Sequence, residues 1–105
     1  MKIIYYVGET VTLSTIMKKG SINKKENNYI IQSNDDVILL NDLHKIEFYR
    51  FHGLSTLIRL VNGQDIIYLT VPWIYLDIAG GIGMINTFKT KKLKKVLSKL
   101  TITNN

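Results

Sequence analysis

Two β-type segments meet at Asn62-Gly63, and this junction constrains the fold of the chain more than any other feature. Residues 55–61 before it and residues 64–71 after it are rich in β-branched and apolar residues, which favour strands. Asn-Gly supplies the two positive-φ residues of a type I′ turn, the tightest connection between antiparallel strands. We therefore predict a β-hairpin that ends at Pro72, which has no backbone N–H to donate.

Further strands are predicted upstream of this hairpin. Apolar and polar residues alternate over residues 45–51, a pattern typical of a half-buried strand. Residues 29–32 and 37–40 are apolar and flank residues 33–36, whose serine, asparagine and aspartates favour a turn. A second hairpin is therefore expected there.

The first 28 residues are predicted to contain two strands and a loop. Two strands are expected near residues 2–7 and 10–18. Residues 18–28 are polar and rich in lysine and asparagine. They are expected to form a mobile loop, with or without a short strand inside it.

The C-terminal part contains the amphipathic helix of the chain. Either Asn86 or Thr87 can cap its start, since both residue types accept a hydrogen bond from the first turn. The apolar stripe expected to face the core consists of Leu93, Val96, Leu97 and Leu100. Residues 101–105 are expected to be a frayed tail.

Together these elements predict a mostly β fold in a single domain. A chain of 105 residues is the size of one domain, and residues 1–100 are assigned to it. Six to seven strands would form a strongly bent antiparallel sheet or a small barrel. The amphipathic helix would cap the open end of that sheet, where apolar side chains would otherwise be exposed.

This order of elements resembles the pleckstrin-homology-like fold, in particular its small bacterial versions. The residues that carry the resemblance are Val37-Ile38-Leu39-Leu40-Asn41-Asp42-Leu43 and Lys45-Ile46 in the middle, and Asn86, Thr90, Leu93 and Leu97 in the helix. The resemblance spans about residues 17–100. It implies a scaffold that binds phospholipid headgroups, peptides or proteins. Lipid-binding members use a basic loop between their first two strands, and the corresponding loop here has four lysines but no arginine.

The net charge of +6 is concentrated in residues 87–99. Six of the 14 basic residues lie there and none of the eight acidic residues, so the rest of the chain is formally neutral. Such an asymmetry can indicate an anionic partner. The candidate anion-binding residues are Lys89, Lys91, Lys92, Lys94, Lys95 and Lys99 on the helix and Lys18, Lys19, Lys24 and Lys25 in the predicted loop.

These lysines have a plainer interpretation as well. Charged helix faces are commonly just solvated, and lysines near a helix C-terminus complement its dipole. The same choice applies to Trp73 and Tyr75, directly after Pro72, which are the candidate exposed aromatic contacts. Exposed aromatics can stack on bases, but most aromatics on strands are core or cross-strand partners.

Catalysis is not expected. The chain has no cysteine, and His44 and His52 would lie about 26 Å apart along a straight strand. We expect no metal, no cofactor and no transmembrane segment, in a soluble cytoplasmic protein. The leading hypothesis is a non-catalytic interaction module whose partner is another protein or a second copy of the chain. The alternative is anion binding, to nucleic acid or acidic phospholipid, through the lysine-rich helix.

Overall fold

The computed structural model describes residues 1–11, 15–51, 55–72 and 86–100, and it contains seven strands and one α-helix in them. The strands are β1 (Lys2–Val7), β2 (Lys18–Lys25), β3 (Asn28–Gln32), β4 (Val37–Leu40), β5 (Leu43–Phe51), β6 (Ser55–Asn62) and β7 (Asp65–Thr70). The helix is α1 (Thr87–Leu97), and a short 3-10 turn at Ser98–Leu100 follows it.

All seven strands belong to one antiparallel sheet, in the order β4-β3-β2-β1-β7-β6-β5. The sheet is strongly curled into a half-barrel, with α1 on its C-terminal side. The predicted fold class, a bent antiparallel sheet with one C-terminal helix, is therefore confirmed. The two edges of the sheet are β4 and β5.

The hairpin of β6 and β7 is confirmed, but its turn differs from the prediction. Asn62 pairs with Asp65, so the two turn residues are Gly63 and Gln64. Gly63 has a φ of +62°, whereas Gln64 is not among the described residues with positive φ. Glycine at the first central position is the pattern of a type II′ turn, not type I′.

Asn62 belongs to strand β6, and its side chain forms hydrogen bonds with β4 and with the connection between β4 and β5. Its Oδ1 accepts from the backbone N–H of Asp42 at 3.0 Å, and its Nδ2 donates to the carbonyl of Leu39 at 3.1 Å. The N–H of Gly63 adds a bond of 2.8 Å to the carbonyl of Asp42. The connection between the two edge strands is thereby tied to the β6–β7 hairpin.

Residues 18–28 are not mainly a loop as predicted, because Lys18–Lys25 form strand β2, which is longer than the short strand that was allowed for there. Strand β2 pairs with β1 on one side and with β3 on the other, and only Ile22 among its side chains is buried. Pairing on both sides satisfies its backbone, so tertiary context overrides the polar composition. The hairpin of β3 and β4 is confirmed.

The strand predicted over residues 10–18 is also wrong. Among its described residues, those before Lys18 are in no strand, and they cover the outer face of the sheet instead. Val11 and Met17 pack there with Leu57 and Tyr68 in a second buried cluster. The hydroxyl of Tyr68 donates to the carbonyl of Glu9 at 2.9 Å, which holds this segment against β7.

The helix begins where the sequence predicts and is fixed to the end of β7. Asn86 is the N-cap, and its Oδ1 accepts from the N–H of Lys89 at 3.1 Å. The N–H of Asn86 donates to the carbonyl of Val71 at 2.7 Å. The start of α1 is therefore held directly against the strand that precedes it.

The inner face of the sheet and α1 share the main hydrophobic core. Leu93 and Leu97 are 4% and 0% exposed, as the predicted stripe requires. The assignment of Val96 to that stripe is wrong, because the side chain of Val96 is 38% exposed. At about 100° per residue, Val96 lies on the side of Leu93 away from Leu97, and fully buried Thr90 completes the buried face instead. The side chain of Leu100 lies outside the described part of the chain.

Candidate interaction surfaces

The first candidate surface consists of the lysines of α1 and of the 3-10 turn after it. This lysine surface comprises Lys89, Lys91, Lys92, Lys94, Lys95 and Lys99. Five of them are exposed and Lys94 is partly buried. Within the described ranges, none of the six forms a salt bridge with a carboxylate. No carboxylate in those ranges neutralises these charges, which leaves them available to an anion.

Aromatic rings lie under two of these ammonium groups. The Nζ of Lys92 is 4.6 Å from the centre of the Phe88 ring, and the Nζ of Lys94 is 4.8 Å from that of Phe48 on β5. Both distances allow a cation–π attraction. Phe88 is 67% exposed, and sequence reasoning did not single it out. Its spacing of four residues from Lys92, opposite the leucines, was the available signal.

The second group of predicted lysines does not form one basic patch. Side chains alternate between the faces of β2, so Lys18 and Lys24 lie on one face and Lys19 and Lys25 on the other. Lys18 and Lys24 are six residues apart, or about 20 Å along the strand. The four lysines are therefore divided between two faces and two ends of β2.

Lys18 has a specific partner in the β3–β4 turn. Its ammonium group forms a salt bridge with Asp36, whose carboxylate also accepts a 3.4 Å hydrogen bond from the hydroxyl of buried Tyr5. The hydrogen bond from Lys18 holds the pKa of Asp36 below its ordinary value, and the same contact raises the pKa of Lys18. Lys18 therefore has a structural role and is the least available of these lysines to a ligand.

A narrow groove separates one flank of α1 from the first three strands. We call it the helix groove, and its volume is about 260 Å³. Its lining residues are Met1, Ile22, Tyr29, Lys92, Leu93 and Val96. The opposite flank of α1 contacts β5 through Lys94 and Phe48. The helix thus covers the sheet unevenly, closing one side and leaving the other open.

The edge strand β5 is the third candidate surface. It is nine residues long and pairs only with β6 among the described strands. No other described strand pairs with its second row of backbone hydrogen-bonding groups. Phe48, in the middle of this edge strand, is 44% exposed.

The remaining candidates add little chemistry. Trp73 and Tyr75 lie outside the described residues. The Nε2 of His44 lies 2.8 Å from a carboxylate oxygen of Asp42, while His52 lies outside the described residues. Across the described ranges, no group of three or more metal-ligating side chains is brought together. Nor is any described helix both long and apolar enough to cross a membrane.

Comparison with known proteins adds no relative, because no family model, curated protein or solved structure matches the chain.

Proposed function

We propose that the chain is a non-catalytic interaction module that binds another protein, either a distinct partner or a second copy of itself. The observation that carries the proposal is β5, a nine-residue strand at the edge of the sheet, which among the described strands pairs with β6 alone. An exposed strand edge is a ready template for a strand from another chain, whose main-chain hydrogen bonds supply affinity. The pleckstrin-homology-like resemblance stays a prediction, and the edge position of β5 does not depend on it.

Self-association through β5 is tested by size-exclusion chromatography with light scattering over a range of concentrations. Phe48→Glu places a charge in the middle of the edge while Lys94, beside it, can pair with the new carboxylate and preserve the fold. We expect Phe48→Glu to weaken association. Val37→Glu, which places the same charge at a 65% exposed position on the other edge strand, is the matched control.

The distinct-partner form of the proposal predicts that amide hydrogen exchange in β5 slows when the partner is bound. A stronger effect of Val37→Glu than of Phe48→Glu on association would move the contact to β4 and contradict the assignment to β5. A catalytic turnover that disappears when one polar residue is changed would overturn the non-catalytic function itself.

Anion binding by the lysine surface is a second candidate function. The observation that favours it is the absence of a carboxylate partner for any of its six lysines within the described ranges. A polyanion would displace counterions from such a surface, so its affinity would fall steeply with salt. Exposed Phe88 adds an apolar contact beside these charges.

A salt titration with DNA, RNA and anionic vesicles tests this candidate. Changing Lys91, Lys92, Lys94 and Lys95 to glutamine should weaken binding and flatten the salt dependence. The control changes Lys2, Lys45 and Arg50 to glutamine, which removes charge from the strands at residues outside both candidate groups. Binding that is independent of salt, or equally weakened in both variants, would contradict a site on α1.

A further inference from the structure

The helix groove has a mostly apolar lining that the described part of the fold leaves open to solvent. Its floor is formed by Ile22 and Leu93, which are 3% and 4% exposed. Its walls include Met1 and Val96, which are 49% and 38% exposed. A concave, mostly apolar lining with a charged group at its border is typical of a binding site.

Lysines lie on both sides of the groove. Lys92 is the charged side chain among the described residues that line the groove. Lys95 and Lys99 follow Lys92 at spacings of three and seven residues, so they lie near the same flank of α1. On the strand side, Lys24 pairs with Tyr29 in the β2–β3 ladder and lies on the same face of β2 as Ile22. Positive charge therefore borders the apolar floor on both sides.

The size of the groove favours a side chain of a larger molecule over a free small molecule. Its volume of about 260 Å³ is below the roughly 300–1,000 Å³ of ordinary small-molecule sites, and it is open to solvent along its length. One large aliphatic side chain can contact Ile22, Leu93 and Val96 there. Carboxylates on either side of that side chain would then meet the ammonium groups.

We propose that the helix groove binds an acidic segment of a partner protein, with a large aliphatic side chain of that segment inserted between α1 and the β2–β3 hairpin. This inference rests on the proposed protein-interaction function and gives it a partner chemistry. It uses the flank of α1 away from β5, so the two surfaces can be tested separately.

The probe is a fluorescein-labelled peptide of about ten residues in which two leucines are set among glutamates, measured by fluorescence anisotropy. Two matched peptides replace the leucines by serine or the glutamates by glutamine. We expect the first peptide to bind and both matched peptides to bind at least roughly ten-fold more weakly, since the apolar and the charged contacts are both required. Equal binding of the leucine and serine peptides would reduce the site to charge alone and overturn the inference.

Variants of the chain locate the peptide. Val96→Ser and Lys92→Gln should each weaken binding, whereas Val37→Ser and Lys91→Gln, which change exposed residues outside the groove, should not. Circular dichroism and thermal unfolding verify that each variant is folded. In the wild-type chain, intermolecular NOEs from the peptide leucines to the methyl groups of Met1 and Val96 give an independent readout. NOEs to other residues would overturn the inference.

The two protein-binding proposals fail differently. Phe48→Glu should leave peptide binding unchanged, because Phe48 is on the other flank of α1. Association through β5 without peptide binding would remove the groove inference and retain the interaction module. Intermolecular NOEs to the methyl groups of Met1 and Val96 that appear as the concentration of the chain alone is raised would assign the groove to a second copy. That result would likewise overturn the acidic-segment inference.

Discussion

The Oγ1 atoms of Thr70 and Thr90 lie 3.1 Å apart in the buried contact between β7 and α1. Two neighbouring hydrogen bonds have a fixed direction, because one ends at a carbonyl and the other begins at a backbone N–H. Thr70 donates to the carbonyl of Thr56 at 3.3 Å, and the N–H of Val71 donates to Thr90 at 3.1 Å. The hydroxyl proton of Thr90 is therefore directed to Thr70. Three consecutive hydrogen bonds thus join the helix to two strands of the sheet.

Thr90→Val should lower the free energy of unfolding by about 1–3 kcal/mol, since it keeps the shape of the side chain but leaves the buried N–H of Val71 unsatisfied. Urea unfolding followed by circular dichroism measures the change. Thr90→Ser is the control, because it retains the hydroxyl and should keep more of the stability than Thr90→Val. A valine variant as stable as the wild type would show that this hydrogen-bond chain does not stabilise the docked helix.

Adjacent positions on α1 should differ sharply in their response to truncation. Leu97→Ala removes a fully buried side chain and should cost about 2–5 kcal/mol of unfolding free energy. Val96→Ala changes a partly exposed side chain and should cost about 0.5 kcal/mol or less. Thermal and urea unfolding of both variants check the order. Similar costs at the two positions would contradict the docking face of the helix.

The β2–β3 turn contains a strained residue that a single change can relieve. Glu26 has a φ of +58°, in the left-handed region that favours glycine. Glu26→Gly should relieve this strain, although glycine also increases the backbone entropy of the unfolded chain. The net effect should be a rise of about 0.5–1 kcal/mol in the free energy of unfolding. Glu26→Ala, the control, also removes the carboxylate but retains the β-carbon. An equal gain from alanine would locate the effect in the charge rather than the backbone.

The salt bridge between Lys18 and Asp36 should make stability depend on pH in the acid range. Because Lys18 holds the pKa of Asp36 below its ordinary value, the carboxylate stabilises the folded chain above that ordinary value. This contribution should be lost as the pH falls through the lowered folded-state pKa. Asp36→Asn should therefore flatten the acid limb of a plot of urea midpoint against pH. An unchanged acid limb would show that other carboxylates dominate it.

Elements governed by local pattern were predictable from the sequence. The two hairpins around residues 33–36 and 62–64 combine β-forming segments with turn-forming residues, and both form. The cap at Asn86 and the burial of Leu93 and Leu97 also follow from local rules. In each of these cases the determining residues are close together in the sequence.

Strand β2 shows where local reasoning fails. Gly20 contributes to the loop-like composition of its segment, but the glycine serves a close approach. A β-carbon there would lie 2.6 Å from the carbonyl oxygen of Gln32 and 2.9 Å from the Tyr5 ring. The requirement arises from β1 and β3, which flank β2 in space, so no window around Gly20 contains it.

The candidate surfaces were only partly predictable for the same reason. The lysines of α1 could be identified from charge counts, and Phe88 from its spacing to Lys92. The helix groove could not, because it combines Lys92 and Val96 with Ile22 and Tyr29, which are distant in the sequence. The prediction that Lys18 and Lys24 share a basic loop failed because it required the β2 segment to be unpaired.

The position of β1 determines when this chain can complete its fold. Ile4 pairs with Thr70, so one side of the first strand is closed by β7, the last of the described strands. During synthesis, β7 must therefore leave the ribosome before β1 can be paired on both sides. Until then, the unpaired side of β1 is a template for aggregation. Contacts over such separations also slow folding, because the loop between them must close first.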